Sequence, residues 1–361
     1  MSASPLGYLR GAAPLFYEVL LDHPELAAGP PGEGWLVGDA HLENFGAFRS
    51  GEGKASGGDS VVFDVNDFDE ALIGPFRWDV LRLLTSVILA GRELGSNGKQ
   101  SVRLCAAILQ GYGPAMSEGR SPPTMPPPVL RLLEKVERRT HQDLLDRRTE
   151  RVGQGRRFIR GDRYQDLAPE LVEPARAAFE LYVDRMDPQR KLEREHFIVE
   201  DVAFRIAGTG SLGVLRLAVV TRGKGEPDSR WIFDMKAEGA PAAHVLVPGP
   251  EGPPAERVLR ANLACLVAPP RMAGTSELGS ESLFVRRLLP QEDKLDLTRL
   301  VAEDLPELAR FLGGLLGLVH RRGATQIPSG WSDEDLAALT EQAIVLAGLH
   351  EAAYLALCLT T

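Results

Sequence analysis

Two short polar runs near the N-terminus constrain this chain more than any other feature. Residues 38 to 46 read Gly38-Asp39-Ala40-His41-Leu42-Glu43-Asn44-Phe45-Gly46, and after a glycine-rich excursion the chain continues Phe63-Asp64-Val65-Asn66-Asp67-Phe68-Asp69-Glu70. An acid ahead of an amide, then further acids between apolar residues, supplies what phosphoryl transfer requires: a carboxylate to accept a hydroxyl proton and hard oxygens to hold Mg²⁺ against phosphates. Asp39 fits the first role. Asn44, Asp67 and Asp69 fit the second, provided the turn after Asp39 returns the amide beside it and a hairpin delivers Asp67 from another strand. The plainer alternative is a polar loop in which Asp39 caps a turn and His41 bonds to backbone. The second acidic run favours the chemical reading.

Beyond it, Gly74-Pro75 reads as a turn opening a helix, with apolar residues at helical spacing through Leu94 and Asp79 early on it. The second half predicts a strand from Val202 to Ile206, then the glycine-rich loop Gly208-Thr209-Gly210-Ser211-Leu212-Gly213, a strand from Val214 to Val220, and a third from Trp231 to Lys236. The glycine pattern alone is weak. A dinucleotide-binding fold needs a helix directly after such a loop, whereas these residues favour a second strand, as in a hairpin covering ATP phosphates. Alternation puts Trp231, Phe233 and Met235 on one face of the third strand and Asp234 and Lys236 on the other. The chain has seven lysines against thirty-four arginines. Lys236, on an apolar strand after a glycine loop, therefore reads as a phosphate-pairing ammonium, against the alternative of a strand-end lysine reaching solvent. Glu256, on a helix begun by Pro254, is its first candidate carboxylate partner, and Glu238 the second.

These residues resemble the kinase-like superfamily that includes aminoglycoside and choline kinases, whose catalytic loop reads Gly-Asp-x-His-x-x-Asn. In that superfamily a metal-binding Asp-Phe, a Gly-Pro and an Asp-bearing helix follow. The resemblance implies Asp39 as base, His41 as part of the catalytic loop, Asn44 and Asp67 as metal ligands, and Asp79 as the buried acid bracing the loop. It also implies Gly208, Gly210, Ser211, Gly213 and Lys236 around ATP. Closer still is a bacterial family, domain of unknown function 2252. Its hallmarks resemble Ser4-Pro5 with Arg10-Gly11-Ala12, the run Gly38 to Gly46, Asp67 to Arg82, Gly208 to Gly213 and Lys236-Ala237, from about residue 2 to the helix containing His320. The chain begins where the family's Ser-Pro begins, so an upstream segment carried by many members is expected to be absent.

The order of parts is rotated relative to a kinase. Catalytic loop, metal acid and bracing helix come first; the glycine loop, lysine strand, short helix, a hinge-like strand Ser282 to Leu288 and a last helix Leu305 to Arg322 follow. The expected fold is therefore α+β and two-lobed, a circularly permuted kinase-like arrangement. A helical large lobe spans 1–195, a small antiparallel-sheet lobe 196–290, and 291–361 returns to the large lobe. Such rotation is tolerated when termini lie close together at the surface.

The remaining sequence bounds the reading. At 361 residues and 44% hydrophobic there is ample core, with no run approaching a membrane span and no basic-then-apolar leader, so a cytoplasmic protein is expected. Cys105, Cys265 and Cys358 are widely spaced in apolar contexts and read as buried free thiols. A net charge of −9 argues against generic nucleic-acid binding. Residues 131–163 nonetheless carry eleven basic against six acidic side chains, which reads either as solvated helix faces or as an anion-binding patch. Three functions are carried forward. The first is an ATP- and Mg²⁺-dependent kinase phosphorylating a small-molecule hydroxyl. The second is a nucleotide-binding regulator, or a nucleotidyltransferase acting on protein. The third is a metal-dependent hydrolase using Asp64, Asn66, Asp67, Asp69 and His41, for which the glycine loop and Lys236 would have no use.

Overall fold

The computed structural model describes residues 4–49, 61–122, 124–186, 192–207, 213–225, 229–249 and 251–360. The architecture is α+β: helices surround two small sheets at one end, and a larger antiparallel sheet forms the other. The helix Arg77–Glu93 is the centre of the first part, buried without interruption from Trp78 to Gly91. A helix buried on every side must be wrapped by others. Those are Gly98–Glu118 and the C-terminal Asp333–Cys358, the latter opened by a capping box between Ser332 and Asp335. Gly98–Glu118 in turn lies directly on Leu305–Arg322. A Cβ at Gly313 would stand 2.0 Å from the Ile108 carbonyl oxygen, and one at Gly111 1.9 Å from that of Arg310, so only glycine permits the contact of these two backbones.

One local expectation is corrected here. Gly74-Pro75 is not a turn opening the helix; it ends the strand Leu72–Pro75, which pairs antiparallel with Glu33–Leu36. Proline is tolerated because this is an edge strand of the three-stranded sheet completed by Ala324–Gln326. That pairing holds the start of the Asp39 loop against the segment that follows Glu70.

The six-stranded sheet has the order Gly274–Leu278, Glu281–Leu288, Trp231–Glu238, Arg216–Thr221, Val199–Arg205, Tyr164–Gln165, every neighbour antiparallel. Val199–Arg205, Arg216–Thr221 and Trp231–Glu238 are consecutive in sequence and in the sheet. Gly213 leads into a strand and not a helix, which excludes the dinucleotide-binding alternative. Trp231, Phe233 and Met235 pack under the helix Pro169–Arg185 with Phe179 and Tyr182, while Ile232 packs on the opposite face with Leu144, Leu145 and Phe158. Asp234 and Lys236 share that second face. Tyr164–Gln165 is thus the edge strand of this sheet, and the helix Pro169–Arg185 covers one of its faces.

Cys105 and Cys265 are buried free thiols, pushed up to about 12 by burial, but Cys358 is exposed, because it lies on the last turn of the final helix. Among the described residues no helix is long and apolar enough to cross a membrane.

Candidate functional site

The Asp39 loop is fixed from three directions. Gly38 has φ +81°, and a Cβ there would stand 1.9 Å from the Glu70 carbonyl oxygen, so glycine is required both by conformation and by space. The backbone N–H of Val37 donates to Asp79 Oδ2 at 2.6 Å and that of Gly38 to Asp79 Oδ1 at 3.0 Å. Asp79 is wholly buried, and its Oδ2 also meets His320 Nε2 at 3.0 Å. His320 is in turn stacked on Phe76 and bonded through Nδ1 to the Tyr112 hydroxyl at 2.9 Å. From the N-terminal side, the Tyr17 hydroxyl donates to the Gly38 carbonyl at 2.5 Å.

This brace presents the Asp39 carboxylate to Arg82, whose Nε donates to Oδ1 at 2.7 Å, and to His41, whose Nε2 lies 3.6 Å from Oδ2. Burial alone would raise the Asp39 carboxyl, but the Arg82 guanidinium and His41 outweigh it and hold it below its usual range. Burial pulls His41 down, against the opposing pull of Asp39. Its Nδ1 accepts from the Glu43 N–H at 3.1 Å, so the neutral ring carries its proton on Nε2, facing Asp39. Asn44 Nδ2 donates to the Asp39 carbonyl at 2.7 Å, which leaves its side-chain oxygen as an acceptor.

The strands Phe45–Arg49 and Val61–Val65 pair antiparallel, and Asn66 N–H donates to the Asn44 carbonyl at 3.0 Å. Asp67 and Asp69 therefore lie beside the Asp39 loop. Burial first, then the charge of Asp69, pushes the Asp67 carboxyl up to about 6. Asp69 is lowered, because Lys236 outweighs its burial.

Lys236 forms an ion pair with Asp69 across 167 positions of sequence, and Glu238 Oε2 lies 3.6 Å from the same ammonium. Glu256 is not its partner. It sits half-exposed on the first turn of Pro254–Cys265 and pairs with Arg260 at 3.1 Å, whereas Glu238 lies two residues from Lys236 on the same strand face. Gly208, Gly210 and Ser211 lie outside the described residues; Gly213 is exposed at φ +88° where the chain enters the next strand.

A cavity of about 690 Å³ is lined by Asp39, His41, Asn44, Asp67, Asp69 and Lys236 together. Asp64 is not in that lining. It turns toward Arg322, 3.4 Å away, and its carboxyl is raised to about 6, chiefly by burial.

Several contributors had no role assigned from sequence. Arg82 was visible only as the end of a motif, yet its guanidinium holds Asp39. Arg216 faces Lys236 in register and donates through Nε to Asp234 Oδ1 at 2.9 Å; Asp234 also pairs with Arg205 at 2.6 Å. Arg257 Nη2 reaches the carbonyls of Asp69 at 2.8 Å and Gly239 at 2.9 Å, tying the acidic run to the sheet. Strand alternation signalled Asp234. Nothing in the local pattern singled out Arg82 or Arg257 among thirty-four arginines.

No curated protein and no solved structure matches the chain. A family described as "Uncharacterized protein conserved in bacteria (DUF2252)" matches residues 1–358, and the chain therefore belongs to that bacterial family.

Proposed function

We propose that this protein is an ATP- and Mg²⁺-dependent phosphotransferase acting on a hydroxyl of a small molecule, built on a kinase-like two-lobed fold whose chain order is circularly permuted, and working in the cytoplasm. The observation that carries the reading is the pairing of Lys236 with Asp69 inside the cleft that also holds Asp39 and Asn44. A metal-dependent hydrolase does not require that ammonium beside its cation site. The rotated order is supported by His320, near the end of Leu305–Arg322, which reaches Asp79 under the Asp39 loop.

The donor set fits the proposed ligands. Asn44, Asp67 and Asp69 offer hard oxygens, and a divalent cation would offset both the burial and the charge of Asp69 that lift Asp67. Lys236 and Arg216 supply the positive charge phosphates need. Mg²⁺-ATP, when bound, would supply the phosphoryl group and neutralise its developing charge. Asp39, kept ionised by Arg82, accepts the acceptor's hydroxyl proton. Because it is a weak base, it takes that proton late, as the oxygen becomes acidic on bond formation. His41 holds its carboxylate oriented from the other side.

The test is direct. At roughly 100 times its dissociation constant Mg²⁺-ATP should stabilise the protein by about 2.7 kcal/mol. Asp39→Asn should keep that stabilisation while losing about 10²- to 10⁴-fold in transfer. Absence of any shift with millimolar nucleotide and Mg²⁺ or Mn²⁺ would overturn the reading.

A further inference from the structure

The N-terminal segment forms part of the cleft wall. Arg10, Gly11, Ala13 and Pro14 line the same cavity as Asp39 and His41. They are tied to the proton acceptor by one residue: Arg82, which donates through Nε to Asp39, also donates through Nη2 to the Leu9 carbonyl at 2.8 Å. Leu6 N–H is anchored on Glu93 at 2.6 Å, and the Tyr17 hydroxyl on Gly38. Arg10 itself is held by Glu43, Nη1 to Oε1 at 2.8 Å, and Glu43 belongs to the short turn whose N–H rests on His41.

The guanidinium edges in this cleft are not used alike. Arg216 presents its Nε/Nη2 edge to the Asp234 carboxylate, the side-on fork that matches two carboxylate oxygens. Arg10 meets Glu43 with Nη1, on its other edge. Its Nε is shut off from water and has no hydrogen-bond partner among the described residues. Leaving such a donor unpaired is unfavourable; the side chain as a whole is only partly buried, so a small rotation toward the cleft would bring this edge onto a ligand oxygen. Lys236, Arg216 and Arg286 are by contrast already met by Asp69, Asp234 and Glu292.

Resting on the phosphotransferase reading above, we propose that Arg10 is the acceptor-selecting residue, and that the acceptor is an alcohol carrying a carboxylate or phosphate which the Nε/Nη2 edge of Arg10 grips while its hydroxyl meets Asp39. A planar fork fixes orientation as well as charge, so Lys at this position would be a poor substitute.

The experiment measures ligand-induced stabilisation of the full chain by matched probes: glycerol, glycerate and glycerol 3-phosphate, then glucose, gluconate and glucose 6-phosphate. Variants Arg10→Gln, Arg10→Lys and Lys236→Ala are compared with wild type, each first shown folded by circular dichroism. The expected result is binding of at least one anionic probe, weakened tenfold or more by Arg10→Gln, little restored by Arg10→Lys and retained in Lys236→Ala, with its neutral counterpart silent. Whether the carboxylates or the phosphates respond identifies the anionic group. The proposal is overturned if neutral probes bind as well as anionic ones, if no probe binds, or if Lys236→Ala and not Arg10→Gln removes the effect. Failure of Mg²⁺-ATP to stabilise wild type, with the Arg10-dependent binding intact, would count against the phosphotransferase reading and not against Arg10 as an anion-binding residue.

Discussion

Replacing Asp79 should separate the brace from the chemistry. Its two oxygens accept three hydrogen bonds, from Val37 N–H, Gly38 N–H and His320 Nε2, at a position with no solvent exposure. Asp79→Ala strands all three donors where water does not reach, at about 1–3 kcal/mol for each buried unsatisfied group. Some relaxation is certain, so the total should fall at roughly 3–6 kcal/mol, a large part of the stability of a typical domain. Asp79→Asn keeps one oxygen. Standing where Oδ2 now is, that oxygen retains Val37 and His320, but the new amide nitrogen then faces the Gly38 N–H, at a cost of about 1–3 kcal/mol. Urea unfolding should therefore show midpoints in the order wild type, Asn, Ala with unchanged slope. Because the stranded donors belong to the loop, amide exchange should rise at Val37 and Gly38 in Asp79→Ala and at Gly38 in Asp79→Asn. A second substitution at His320 should be strongly non-additive with Asp79→Ala, since both act on one network. An Asp79→Ala protein within about 1 kcal/mol of wild type would refute the claim that this carboxylate holds the loop.

Lys236→Ala and Asp67→Ala should each weaken Mg²⁺-ATP binding, and the double variant should lose less than the sum, because both act on one bound phosphate–metal unit; strictly additive losses in a calorimetric titration would place them on separate sites. Gly38→Ala should destabilise by roughly 2 kcal/mol or more, since φ is +81° and the new Cβ collides with the Glu70 carbonyl, and a thermal midpoint unchanged from wild type would contradict the geometry. Burial depresses His350 to about 4 from an ordinary 6.5, so the unfolded chain binds the extra proton first and stability should fall as pH drops from about 6.5 to about 4, by about 3 kcal/mol in all. His350→Phe should remove that part of the slope, and an unchanged pH profile would show that another group is responsible.

What could be read from the sequence followed from periodicity and from short-range chemistry. The alternation in Trp231–Glu238 put Lys236 on the face opposite the aromatic residues because a strand has only two faces. The spacing of Asp39 and Asn44 allowed one turn to bring them together, and it does. The helix Leu305–Arg322, expected as the last part of the rotated order, has the bounds given to it. The Gly74-Pro75 turn failed for a tertiary reason: those residues gain a strand partner, Glu33–Leu36, that lies about forty positions away and has no local signature. Glu256 failed because helix position alone does not say which face turns to solvent.

The residues that went unread are long-range partners, and they share one chemistry. Arg82 holds Asp39, Arg216 is held by Asp234, and Arg257 gathers carbonyls from the acidic run and the sheet. Each guanidinium has several fixed donors and can satisfy backbone from elements far apart in sequence, so its role is set by where the chain places it and not by its neighbours. In a chain with thirty-four arginines, composition therefore hides the most informative ones. Arg10 follows from the same logic in reverse. Where Arg82 and Arg216 have carboxylates on their Nε/Nη2 edges, Arg10 has its partner on the other edge, and its buried Nε has no hydrogen-bond partner among the described residues. That asymmetry, visible only after the segment before Ala12 is seen against the Asp39 loop, is what the proposed selection of an anionic acceptor by Arg10 rests on.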